Sequence, residues 1–191
     1  IRDYYASRGL GDVYKRQLTF CAMQYGIYMG VYLFMTFLFS VWSRYASIFN
    51  TLGALLLIAT PAAVYLIMSH FVRRQGWPCR FVILWLLGIC VFFFAALISG
   101  LGEYVYCQYI DPDFIPEQID AMLKVLESAE LDSPEMSDFI ATMRSGFEHG
   151  ALPTAIELVF QMIWTKVFLG SLLSIFVALF VCMYYHFQKS K

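Results

Sequence analysis

The sequence predicts an all-α, polytopic membrane protein with four transmembrane helices, on three observations. Hydrophobic residues fill 60% of the 191 positions and charged residues only 14%, against roughly 45–50% and 25% in an ordinary soluble domain. Four stretches free of Asp, Glu, Lys and Arg, namely Leu18–Ser43, Tyr45–Val72, Phe81–Gly102 and Val167–Gln188, each reach the roughly 20 residues that a crossing needs. Tryptophans and tyrosines such as Trp42, Tyr45, Tyr104, Trp164 and Tyr184 gather at the ends of those stretches, where an amphipathic ring keeps its polar edge wet. The 13 basic and 14 acidic residues give a formal charge of -1, so no basic surface for nucleic acid is expected.

The first seventeen residues stand apart. Asp12–Gln17 reads DVYKRQ, which resembles the translation of a sequencing-library adapter. The stretch before it has neither the apolar core nor the small-residue cleavage site of a signal peptide. Residues 1–17 are therefore expected to be adapter-derived or disordered, with the native N-terminus missing and 18–191 forming one four-span domain. Setting them aside leaves 9 basic and 12 acidic residues, a charge of about -3.

The spans are placed at about 20–43, 47–71, 81–103 and 163–186. Their orientation follows from Lys and Arg in the short loops, which stay on the cytoplasmic side. Arg73, Arg74 and Arg80 lie between spans two and three and Lys189 and Lys191 follow span four, whereas Arg44 alone separates spans one and two. Both termini are then cytoplasmic, and the segment 104–153 lies outside. Ten acids between Asp111 and Glu148 against Lys124 and Arg144 give that segment a charge of -8.

The external segment carries helical patterning. Ile119, Met122, Leu123 and Leu126 recur at helical spacing behind Pro116, which predicts an amphipathic helix from about Pro116 to Glu130. Ser133 and Pro134 stand in N-cap and N1 order before Met136, Phe139, Ile140, Met143 and Phe147, which predicts a second. Two stripes on so short a hairpin have little to bury against except each other, the membrane surface, or a partner. Ile119, Met122, Leu126, Met136, Phe139, Ile140 and Met143 are accordingly the candidate docking residues for an exported or membrane protein bound through 114–148. Pro153 is expected to start a helix running unbroken into span four, about 50 Å long.

Within the spans, chemistry has few places to reside. An ionisable group in a membrane is a functional candidate by default. Glu103, Glu157 and Lys166 all fall near the outer ends of spans three and four. Glu103 and Lys166 are expected to lock the helices as an interhelical pair, or one carboxylate to couple transport. Thr60 before Pro61 predicts a kink, with the hydroxyl resatisfying the carbonyl that proline frees, so Pro61 is the candidate hinge. Small residues at four-residue spacing, Gly26/Gly30, Ala59/Ala63, Ala95/Ser99 and Gly170/Ser174, fit close helix approach within one chain or in a homo-oligomer.

The scattered Cys21, Cys79, Cys90, Cys107 and Cys182 form no C-x-x-C, and His70, His149 and His186 offer no zinc-ligand spacing. No disulfide framework, metal site or cofactor is expected. No nucleophile elbow or P-loop occurs either. No catalytic residue is assigned.

Three spans, then the string YVYCQYIDPDF (Tyr104–Phe114) opening an acidic helical segment, then one last span: in this arrangement, over about Met23–Phe187, the chain resembles the bacterial membrane family called domain of unknown function 4199. The resemblance implies a multi-pass inner-membrane protein of about this size and supplies no catalytic residues. The expectation is a non-enzymatic structural or interaction component. The alternative is a small transporter or channel using a carboxylate at the outer boundary.

Overall fold

A backbone inside hydrocarbon has no water to bond, so each apolar run closes its hydrogen bonds on itself as a helix. The computed structural model, which describes residues 2–75, 80–128, 142, 145 and 154–189, is helical throughout its main elements and has no strand among the described residues. Helix α1 spans Arg2–Trp42, α2 Ser47–Gln75 and α3 Phe81–Val105. A π-turn at Tyr106–Ile110 follows, then α4 at Phe114–Ser128 and α5 at Ala155–Lys189. Four of these segments are long and apolar enough to cross a membrane: Leu18–Trp42, Ser47–Arg74, Phe81–Ile110 and Ile156–Phe187. The chain is a multi-pass membrane protein.

The boundaries differ from expectation in three places. Helix α1 starts at Arg2, so residues 2–17 are helical and continuous with the first span. The third span does not stop at Glu103 but carries on to Ile110 through the π-turn. Helix α4 begins at Phe114, which places Pro116 inside the first turn, where its missing N–H has no intrahelical partner to lose. The expected second external helix, with Met136, Phe139, Ile140 and Met143, lies outside the described residues.

The chain divides into two compact units, residues 1–101 with 162–191, and residues 102–161. The core of the first is built from all four spanning helices, with Ala22 and Met29 of α1, Val64 and Met68 of α2, Leu87 and Ala95 of α3, and Ala178 and Val181 of α5 among its buried residues. Glycines set the distances. A Cβ on Gly26 would stand 2.6 Å from Cβ of Phe94, and one on Gly30 would stand 2.9 Å from Cβ of Ile98, so α1 lies directly against α3. Added Cβ atoms on Gly88 and Gly170 would collide with Ser174 and with the Phe92 ring, so α3 and α5 are equally close. Three of the four small-residue pairs thus serve contacts within the chain, since Gly30 also abuts the carbonyl of Ala95 and Ser99 is fully buried.

Helices α1 and α2 form a hairpin over the short turn Ser43–Ala46. Phe39, Trp42 and Phe49 close its end, with ring centroids 5.6–6.1 Å apart. Further along, the Tyr32 hydroxyl of α1 donates to the carbonyl of Leu56 in α2. At the opposite end of α2, Tyr65 meets Phe180 of α5 edge-on at 5.9 Å.

In the second unit, Phe114, Ile115 and Leu123 bury one face of α4, while Asp120 and Lys124 pair at 2.6 Å on its exposed side. This is the amphipathic division that the sequence spacing predicts.

Candidate functional site

The feature of α3 that sequence patterning does not announce is its exit. After Val105 the helix widens into five residues of π-turn, and the Asp111 N–H donates to the carbonyl of Tyr106 at 3.0 Å, five residues back. Asp111 then takes an extended conformation, φ -142° and ψ 83°, because a residue before proline is pushed out of the helical region and Pro112 follows. The Tyr106 hydroxyl donates to Asp111 Oδ2 at 3.4 Å, and its ring meets Phe114 edge-on at 5.9 Å. The helix end is therefore clamped to the start of α4 by one side chain. Single π-turns are rare and often accompany function.

Glu103 sits one turn before this widening and is wholly enclosed, at 0% exposure. Cys107 follows at i+4 and is buried too, with Glu103 and Asp111 both within electrostatic reach of its sulfur. A carboxylate removed from water beside a thiol and an irregular backbone turn is the most chemically loaded place in the described structure.

The other two ionisable candidates have defined bonding roles. Lys166, half-buried on α5, donates from Nζ to the Ser99 hydroxyl of α3 at 3.2 Å. Ser99 in turn donates to the Ala96 carbonyl at 3.4 Å, so the lysine is tied to the α3 backbone through one hydroxyl. Glu157 is exposed and forms a capping box at the start of α5. The Thr154 N–H donates to Glu157 Oε2 at 2.9 Å, and the Glu157 N–H donates to Thr154 Oγ1 at 3.4 Å. That reciprocal pair satisfies donors that a helix start leaves open. The signature was in the sequence as Thr154-x-x-Glu157.

Pro61 lies on the exposed side of α2, and the helix runs through it without interruption. The Thr60 hydroxyl donates to the Leu56 carbonyl at 3.3 Å, the same oxygen that Tyr32 reaches from α1. The expected rescue is thus displaced by one residue. Proline at 61 frees the carbonyl of Leu57, four residues back, whereas the threonine bonds the one before it. Of the docking candidates, Ile119 is half-buried on α4, and Met122 and Leu126 belong to the same helix.

Among the described residues, no group of three or more His, Cys, Asp or Glu side chains is placed to hold a metal ion. Among the described residues, Cys21, Cys90, Cys107 and Cys182 take part in no disulfide.

The family model described as protein of unknown function (DUF4199) matches residues 24–182. The chain belongs to the DUF4199 family. The match runs from the first span to the last turns of α5, so both the π-turn of this DUF4199 protein and its tight helix contacts lie within the family region. No curated protein and no solved structure matches the chain.

Proposed function

We propose that this DUF4199 protein is a non-enzymatic structural and interaction component of the bacterial inner membrane, with both termini cytoplasmic and residues 114–148 outside as its docking segment. The observation that carries the reading is the use of polar side chains in the spans. Tyr32, Thr36, Thr60, Ser99 and Lys166 all bond within the bundle, to carbonyls of their own or a neighbouring helix or to one another. Side chains held this way stabilise a scaffold and are occupied with respect to a travelling substrate. The test replaces Met122 and Phe139 by Asp in the full chain and measures co-purification after crosslinking in native membranes. Loss of a stoichiometric partner with insertion intact is expected, and unchanged co-purification would sink the docking role.

One observation favours a second reading. Glu103, enclosed next to a π-turn, fits a coupling carboxylate of a small transporter or channel, alone or as a homo-oligomer. On that reading reconstituted vesicles show ion or proton flux that disappears in Glu103→Gln. Vesicles without flux exclude it.

A further inference from the structure

The bundle of residues 1–101 and 162–191 carries a second polar cluster, built by three helices where the apolar run of α2 ends. Arg73 and Arg74 are both exposed there. Arg73 Nε donates to the Tyr185 hydroxyl of α5 at 3.0 Å, and that hydroxyl donates onward to the Ser69 carbonyl at 3.5 Å. On the α1 side, the Tyr25 ring meets His70 edge-on at 6.2 Å, and Arg74 lies within electrostatic reach of Tyr25. One guanidinium is braced by a tyrosine of α5, the other stands beside a tyrosine of α1.

The chain gives these cations very little negative charge. No Asp or Glu occurs between Asp12 and Glu103, nor anywhere after Glu157. Their counter-charge must therefore come chiefly from outside the bundle. An arginine whose Nε is taken by a tyrosine keeps four terminal N–H donors in a fixed plane, a fork that matches two oxygens of a phosphate. The depth fits as well. Tyr25, Tyr184 and Tyr185 mark the interfacial belt where lipid phosphates lie. Beside the cluster, Phe180 and Met183 of α5 and Leu66 of α2 are at least 60% exposed, an apolar track for an acyl chain.

We propose that Tyr25, His70, Arg73, Arg74 and Tyr185 form a binding site for the phosphodiester headgroup of an acidic phospholipid, with an acyl chain along α2 and α5. The site is independent of the docking and transport readings above. A basic pocket between helices at a membrane interface is a known way of holding such lipids, and the apolar track selects a lipid over free phosphate.

The test uses the full chain in phosphatidylcholine nanodiscs with and without phosphatidylglycerol, with lipids retained after release counted by native mass spectrometry. Wild type is expected to retain phosphatidylglycerol preferentially, and R73Q/R74Q to weaken that retention roughly twenty-five-fold, at about five-fold per arginine. R44Q, which removes the arginine between α1 and α2, leaves it unchanged. Where the double variant does not insert, R73Q alone reads the same loss at about five-fold. Excess inorganic phosphate leaves the lipid in place. Equal retention of the two lipids by wild type, retention by R73Q at the wild-type level, or full displacement by inorganic phosphate each overturns the proposal.

Discussion

Helices α2 and α3 are both apolar enough to cross a bilayer, yet they stand differently in the bundle. In α3, 39% of the most apolar stretch is buried, against 11% in α2. The face of α3 at Gly88, Ala95, Ala96 and Ser99 is closed by neighbouring helices, whereas Leu55, Leu57, Ile58 and Leu66 of α2 remain exposed. Apolarity does not separate inside from outside when the solvent is itself hydrocarbon. Small side chains do, because they let backbones approach until van der Waals contact and short polar bonds hold them.

The comparison breaks first at the contact with α1. Gly26→Leu drives a side chain into Phe94 Cβ and the Val91 carbonyl and is expected to cost about 3 kcal/mol, the upper part of the range for overpacking. Reversible unfolding in mixed micelles measures it, and a loss below about 1 kcal/mol contradicts the central place of α3. Next in size is the bond between α5 and α3. A double-mutant cycle of Ser99→Ala and Lys166→Met should return a coupling of about 1 kcal/mol, as for other hydrogen bonds between membrane helices. No coupling in that cycle means that the lysine is held by something else. Smaller again is Thr154→Ala, which removes one half of the α5 capping box and should cost about 0.5 kcal/mol. Hydrogen exchange ought to report it only in the first turn, near Ile156–Val159. Smallest of all, Ile58→Ala on the exposed face of α2 (77% exposed) should change stability by less than about 0.5 kcal/mol. A larger effect there means that something other than lipid covers that face.

Much of the architecture is legible in the residues. Charge-free runs locate the four spans because a buried charge is expensive in hydrocarbon. On the buried side of α4, Ile119 and Leu123 follow from spacing alone, whereas Ile115 lies ahead of the helix start expected at Pro116. What spacing cannot give is pairing. Gly26 and Gly30 read as a contact surface, but that α3 fills it depends on how the helices assemble. The π-turn has no sequence pattern of its own. Its only local cue is Pro112, which forces Asp111 out of the helix and leaves the preceding turn to adjust. Glu157 teaches the opposite lesson, since Thr154-x-x-Glu157 is a capping signature in plain view, and reading the carboxylate for its charge alone passes over the two backbone N–H donors of the box. Ser99 as the partner of Lys166 is likewise a matter of geometry, 67 residues apart in the chain.

The order in which those contacts arise along the chain has a consequence for biogenesis. The hairpin of α1 and α2 joins residues close in sequence, with Tyr32 and Leu56 only 24 apart, so it completes soon after its second helix leaves the ribosome. The α3 surface at Gly88 and Phe92 is different, because Gly170 and Ser174 that cover it belong to the last helix. At about 5–20 residues per second, the nascent protein waits roughly 5–15 s between finishing α3 and finishing α5. Throughout that interval the groove meant for α5 faces lipid, or whatever insertion factor stands beside it, and this is the stage at which a second nascent copy has the greatest opportunity to mispair.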